Sequence, residues 1–375
     1  MELVSSSNIP CTPDGEHPTL VAGALSSNAK YVSAALTDSS LHVFSIDGSH
    51  KLKVTDPSGN IIWAHMILDD DILVSGSSDG ILRAYNIADG RLLDELPPIK
   101  VSSNESLDDG RDRNPGAIRR LYYLHSKPGS VFVTTVSGSI HQWETGSTNY
   151  RHDFLGGHSS TIFDIKPFAE GTRFVSMAPR YQSLAAWDVV SGTMLWTNTQ
   201  DSDVFSIAIA HERVVFGRED GVIKIARLED GMELAAFNAH KGLINGIIFS
   251  NNLFISTDVY GFAKVWSMPA GDVSLQLVRS EKLYDHAVTA RCMLGSWLVT
   301  AGKHGGAADN VCGLDYRMKI CKVHGDEQGD GLESPREIGL PVMVIWGIAS
   351  LHSLRSVATA VMKRGRPVLE IWKKL

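Results

Sequence analysis

The sequence predicts an all-β fold, a β-propeller of eight four-stranded blades forming a single domain over residues 1–375, and three observations predict it. The first is a repeat. Runs such as Leu73-Val-Ser-Gly-Ser-Ser-Asp79-Gly80 are followed, six residues past the Asp or its equivalent, by an aromatic or apolar plug, and the plugs are Phe44, Tyr85, Trp143, Trp187, Ala226, Trp266, Leu314 and Trp372. The second is their spacing, mostly about 40–45 residues, which is the length of one propeller blade. The third is the last unit, from Val344 onward, which runs out after its third strand, while residues 2–9 stand ahead of the first full unit. An open ring would expose two sheet edges, so the N- and C-terminal strands are expected to pair in one blade and close the ring. A blade cannot bury both of its faces alone, and stacking neighbours around a ring solves that problem.

Residues 59–96 show the unit in full. Gly59 to Ile67 supplies the inner strand, Asp71 to Ser77 the second, Ile81 to Asn86 the third and Arg91 to Leu96 the outer one, with Asp79-Gly80 and Asp89-Gly90 as turns. Residues 116–158, 159–200, 202–240 and 241–283 repeat this order, with Gly157-His158 and Ala239-His240 standing where a WD-repeat carries its Gly-His pair. Blade seven is the irregular one.

Composition narrows the class. A chain of 375 residues, 43% hydrophobic and 21% charged, has ample material for a core. No apolar run approaches the roughly 20 residues of a membrane span, and Met1-Glu-Leu-Val lacks the basic start of a signal peptide. Cys11, Cys292, Cys312 and Cys321 form no close pair, which points to the cytoplasm or nucleus. A net charge of −7 argues against a nucleic-acid partner. Three stretches exceed a minimal loop, at 100–115, 304–310 and 325–340, and the strand order places all three on the rim where outer strands lead into the next inner strand. Binding is usually added to a rigid scaffold in such loops.

The segment Gly59 to Asn86, the ending Val344-Ile-Trp-Gly-Ile-Ala-Ser with Val357-Ala-Thr-Ala-Val-Met-Lys-Arg-Gly, and the surroundings of Ala287-Val288-Thr289 resemble the F-box and WD-repeat substrate receptors of cullin-type ubiquitin ligases. Elsewhere the likeness is one of blade order and count. The resemblance implies eight blades and a client pocket on the rim described above. The family's aromatic lining is similar to Trp63, Phe205 and Trp346, and its polar threonine to Thr289. Two of its phosphate-gripping arginines correspond to Arg119 and Lys363, while the other two positions hold Val136 and Phe163. Apolar side chains cannot replace a bidentate guanidinium, so the resemblance implies weakened phosphate dependence. Arg180 and Lys303, at rim positions of blades four and seven, add charge from another angle. Each residue singly also reads as a channel plug or a scattered surface charge. As a group, Trp63, Arg119, Phe163, Arg180, Phe205, Thr289, Lys303, Trp346 and Lys363 read as a pocket for an extended peptide with apolar anchors beside an acidic or phosphorylated residue.

Catalytic patterns are weak. Gly157-His158-Ser159 and Asp220 are positions where His and Asp orient turns within the repeat, and no phosphate loop or dinucleotide fingerprint occurs, so no cofactor is expected. Cys312, Cys321 and His324 match no zinc spacing. Trp187-Asp-Val-Val-Ser-Gly-Thr-Met-Leu-Trp196 resembles a strand turn of quinoprotein propellers, in one copy. Two readings stay open for a non-enzyme. One is a degradation receptor whose cullin-ligase adaptor binds a region outside this chain, since the residues ahead of the first inner strand are too few for an F-box. The other is a scaffold organising a signalling, ribosome-assembly or transcription complex.

Overall fold

The computed structural model describes residues 2–8, 20–25, 30–69, 71–100, 114–123, 129–154, 156–179, 183–250, 253–268, 273–294, 296–304, 315–323, 335–342, 344–351, 356–363 and 366–373. Among them the strands form eight four-stranded antiparallel sheets. In order from inner to outer strand, blade one is Leu20–Leu25, Tyr31–Leu36, Ser40–Ser45 and His50–Thr55; blade two is Ile62–Leu68, Ile72–Ser77, Leu82–Asn86 and Leu92–Glu95. Blade three is Ile118–Tyr123, Ser130–Thr135, Ile140–Glu144 and His152–Phe154; blade four is Asp164–Phe168, Arg173–Ala178, Ser183–Asp188 and Met194–Thr199. Blade five is Val204–Ala210, Arg213–Arg218, Val222–Arg227 and Glu233–Asn238; blade six is Ile244–Ser250, Leu253–Asp258, Phe262–Ser267 and Gln276–Lys282. Blade seven is Val288–Leu294, Trp297–His304, Asp315–Lys322 and Arg336–Val342. Blade eight takes Val344–Leu351, Ser356–Lys363 and Arg366–Lys373 from the end of the chain and Glu2–Asn8 from its beginning. That last pair is antiparallel, from Glu2 opposite Lys373 to Asn8 opposite Val368. The inner strand of blade eight lies against the inner strands of both blade seven and blade one.

The core sits between blades rather than within them. Phe132, Ile140 and Phe154 of blade three pack with Ile162, Phe174, Ala185 and Trp187 of blade four in one cluster, and comparable clusters join each successive pair from blades one and two to blades seven and eight. Trp143 and Trp187 are buried almost completely. Removing such a side chain from water contributes about 2–3 kcal/mol, which is why the third-strand plug recurs.

Polar side chains then lock each blade's turns. In blade six His240 Nδ1 lies 2.9 Å from Asp258 Oδ2 and its Nε2 lies 2.6 Å from Ser256 Oγ, while Trp266 Nε1 donates to that same hydroxyl at 2.8 Å. Asp258 Oδ1 also accepts the backbone N–H groups of Tyr260 and Phe262. Blade four keeps His158, Ser176 and Trp187 of this relay. The histidines are thus consumed in structure, as their repeat positions suggest.

Two expectations need correction, both in blade seven. Leu314 lies outside the described residues, and the register position of the plug, opposite Leu298, is held by Cys321. The third strand therefore runs later than the plug spacing implies. As a result, the last residues of the stretch read as a loop over 325–340 belong to the outer strand Arg336–Val342, while 325–334 lie outside the described residues. Most of 100–115 and 304–310 falls outside the described residues.

Candidate functional site

A single backbone device recurs at the start of the inner strands. In blade two the register shifts between Ile62 and Ala64, so that Trp63 is an extra residue in the ladder. The same shift leaves Val21, Arg119, Phe205, Asn245, Thr289 and Trp346 as extra residues in blades one, three, five, six, seven and eight. In blade four the position is taken by Phe163, whose N–H donates to the Met177 carbonyl at 2.8 Å. A β-bulge bends the strand and re-aims a side chain, so the fold presents one such residue per blade at one end of the inner strands.

The side chains there meet one another. The Arg119 guanidinium lies 4.1 Å from the centre of the half-buried Trp63 ring, joining blades two and three. The Arg120 guanidinium lies 5.7 Å from the ring of Phe163, which is 42% exposed. Phe163, Phe205, Asn245 and Thr289, from four successive blades, line one cavity of about 520 Å³ with Arg120, Asp164 and Arg291. Of the residues expected from sequence, Phe163, Phe205 and Thr289 share the cavity, and Trp63 and Arg119 stack on each other at the equivalent positions of blades two and three. Trp346 occupies the equivalent bulge of blade eight. The backbones of Lys303 and Lys363 stand at the ends of second strands, opposite Tyr316 and Arg366, at the same rim. Arg180 lies outside the described residues. The half-buried aromatics with guanidiniums above them match the composition of protein-binding surfaces.

Asn245, Arg120 and Arg291 are additions that sequence reasoning missed. Asn245 follows Ile244 as Trp63 follows Ile62, so aligning the inner strands would have found it. Its amide donates to the Val288 carbonyl at 2.7 Å and accepts from Thr257 Oγ1 at 2.9 Å. Arg291, on blade seven, reaches across to blade six, where its guanidinium donates to the Asn245 carbonyl and, at 3.3 Å, to Asn245 Oδ1. Burial pulls this guanidinium down to about 10, against the opposing charge of Asp164.

The opposite rim carries a depression of about 570 Å³ between blades four and five, lined by Arg173, His211, Glu212, Arg213, Arg227 and Glu229 among others. Its turns hold Ala169, Glu170, His211 and Glu212 at positive φ. Here the charges pair off, Arg173 with Asp188 at 4.0 Å and Arg227 with Asp230 at 3.5 Å. Among the described residues no group of three or more His, Cys, Asp or Glu side chains is placed to hold a metal, and no helix is long and apolar enough to cross a membrane.

Comparison with known proteins agrees with this architecture. A family model described as outer membrane protein assembly factor BamB matches residues 114–246, which include the Trp187–Trp196 turn. No curated protein matches the chain. Among solved structures, the computationally designed Ika8 protein superposes with a TM-score of 0.70 at 19% identity, over 100% of both chains. Sqt1 from Chaetomium thermophilum gives 0.72 at 15% identity over 100% of this chain and 99% of its own. The same protein bound to the N-terminus of the ribosomal protein L10 gives 0.70 at 16% identity over 100% of both. The chain is β-propeller-like in fold. At these identities the likeness concerns the fold alone.

Proposed function

We propose that the protein is a non-enzymatic interaction module that captures an extended peptide segment of a client protein across the channel mouth. The carrying observation is the set of residues at the inner-strand starts, one per blade and bulged in every blade but the fourth, in which Trp63 and Arg119 stack and Phe163, Phe205, Asn245 and Thr289 share a cavity. Rigid inner strands hold the aromatics, so little ordering cost falls on the protein when the client docks. In this reading the eight sheets form a closed WD-repeat ring, with the terminal strands paired in blade eight. The client carries an acidic residue near an apolar anchor, and phosphate strengthens capture without being required, because Val136 and Phe163 stand where guanidiniums would grip it.

Of the two roles for such a module, a scaffold or assembly factor is favoured over a ubiquitin-ligase receptor. Sqt1, similar over the whole chain, has been solved with a ribosomal-protein N-terminus bound, a precedent for capture of a chain end by this fold. The degradation-receptor reading rests on Gly59 to Asn86 and on the last unit alone, and it places the client at the same mouth. The protein is expected in the cytoplasm or nucleus in either case. Affinity capture with the whole chain tests both. We expect Trp63→Ala with Phe205→Ala to release a client that the Arg173→Ala protein retains, with no cullin adaptor in the eluate. Retention of the client by the double variant would overturn the site, and co-elution of a cullin adaptor would overturn the preferred role.

A further inference from the structure

The wall of the cavity holds a half-buried positive charge with no carboxylate at ion-pair distance among the described residues. Arg291 sits in the wall of the cavity, and among the described residues no carboxylate approaches its guanidinium within ion-pair distance. Its two bonds go to Asn245, both to neutral oxygens. The place is built for it: the guanidinium lies so close over Gly246 that a Cβ there would fall inside it. Arg120, on blade three, faces the same cavity and likewise has no carboxylate partner among the described residues. The one acid of the lining, Asp164, is already engaged by Lys166 at 3.0 Å. In a chain with a net charge of −7, two arginines thus face this cavity against the single carboxylate of Asp164. A half-buried guanidinium held only by neutral acceptors is left short of the charged partner that an anion would supply.

We propose that Arg291 is the receptor for an oxyanion, a carboxylate or phosphate group, bound in the cavity, with Arg120 supplying additional positive field. Asn245 fixes the guanidinium so that its remaining N–H donors are left for the ligand. The site stands on cavity geometry and does not depend on peptide capture. A free small anion is expected to occupy it.

Isothermal titration of the whole chain tests the proposal at constant ionic strength, with sodium phosphate in one arm and N-acetylglutamate amide in the other. Uptake of one equivalent in the phosphate arm, the glutamate arm or both supports the receptor and tells which oxyanion it prefers. Arg291→Gln is expected to weaken that binding at least about tenfold, and Arg120→Gln about two- to fivefold. Arg173→Gln, which removes the same charge at the opposite rim, should leave it unchanged. Arg291→Lys keeps the charge and loses the planar fork, so it decides the matter should Arg291→Gln fail to fold, with at least about threefold weakening expected. No uptake of either anion by the wild-type protein, or equal uptake by wild type and the Arg291 variants, would overturn the proposal.

Discussion

Arg83 is buried and Arg291 half-buried, and the protein treats the two in opposite ways. Arg83, on the third strand of blade two, touches Asp56 at 2.7 Å, Asp79 at 3.0 Å and Glu95 at 2.9 Å. Burial alone would lower its titration, but the hydrogen bonds to Glu95 and Asp79 and the charge of Asp56 carry it upward. Arg291 meets only the neutral oxygens of Asn245, and burial pulls it down to about 10. The first arginine is finished inside the blade and holds turns together. The second is unfinished, and it stands where the bulged residues open onto a cavity. Volume does not mark the site, since the opposite rim has the larger depression; unpaired charge beside rigid aromatics does.

The contrast can be broken most forcefully at Arg83. Arg83→Ala would strand the carboxylate of Asp56, whose side chain is 1% exposed, and is expected to cost about 3–5 kcal/mol of stability in urea unfolding. A loss under about 1 kcal/mol would mean that the cluster is not structural. Next in size is the mouth: Trp63→Ala with Phe205→Ala should weaken client binding by about 2 kcal/mol or more, roughly thirtyfold, while the circular dichroism spectrum is preserved.

His158 gives a smaller, pH-dependent effect. Burial holds its imidazole neutral, lowering it to about 4. The unfolded chain then binds the proton first, so stability from this group is complete above about pH 6.5 and declines as pH falls toward 4. By pH 5 the loss should reach about 1–2 kcal/mol, and it should be absent from the difference between His158→Gln at pH 7 and at pH 5. A pH-independent gap between wild type and variant would contradict a neutral, buried His158. The smallest effect belongs to Arg291→Gln, whose lost bonds to Asn245 are offset by relief of a half-buried charge, leaving stability within about 1 kcal/mol of wild type. A loss approaching that of Arg83→Ala would show that Arg291 is structural after all.

Much of this was legible in the residues. Alternating β-branched runs and Asp-Gly turns placed the strands of blade two closely, because a two-residue period and a left-handed glycine leave few alternatives: Gly80 and Gly90 both adopt positive φ. The mouth was legible wherever a bulky residue follows an Ile or Val at an inner-strand start, as at Trp63 and Phe205. Blade seven was misread because its plug is a cysteine, Cys321, and a small thiol buried between blades gives no aromatic signal. Arg291 was invisible for a different reason. Its importance lies in a reach from blade seven to blade six, and the only trace in sequence is a glycine at 246 that makes room for it.

Hydrogen exchange on the complex with a captured client peptide tests the central claim most directly. Client binding should slow exchange at the bulged positions around 62–64, 204–206 and 244–246, with the turns at 169–171 and 211–212 on the opposite rim unchanged. Protection confined to the turns of the opposite rim, with the bulges exchanging as in the free protein, would contradict the account.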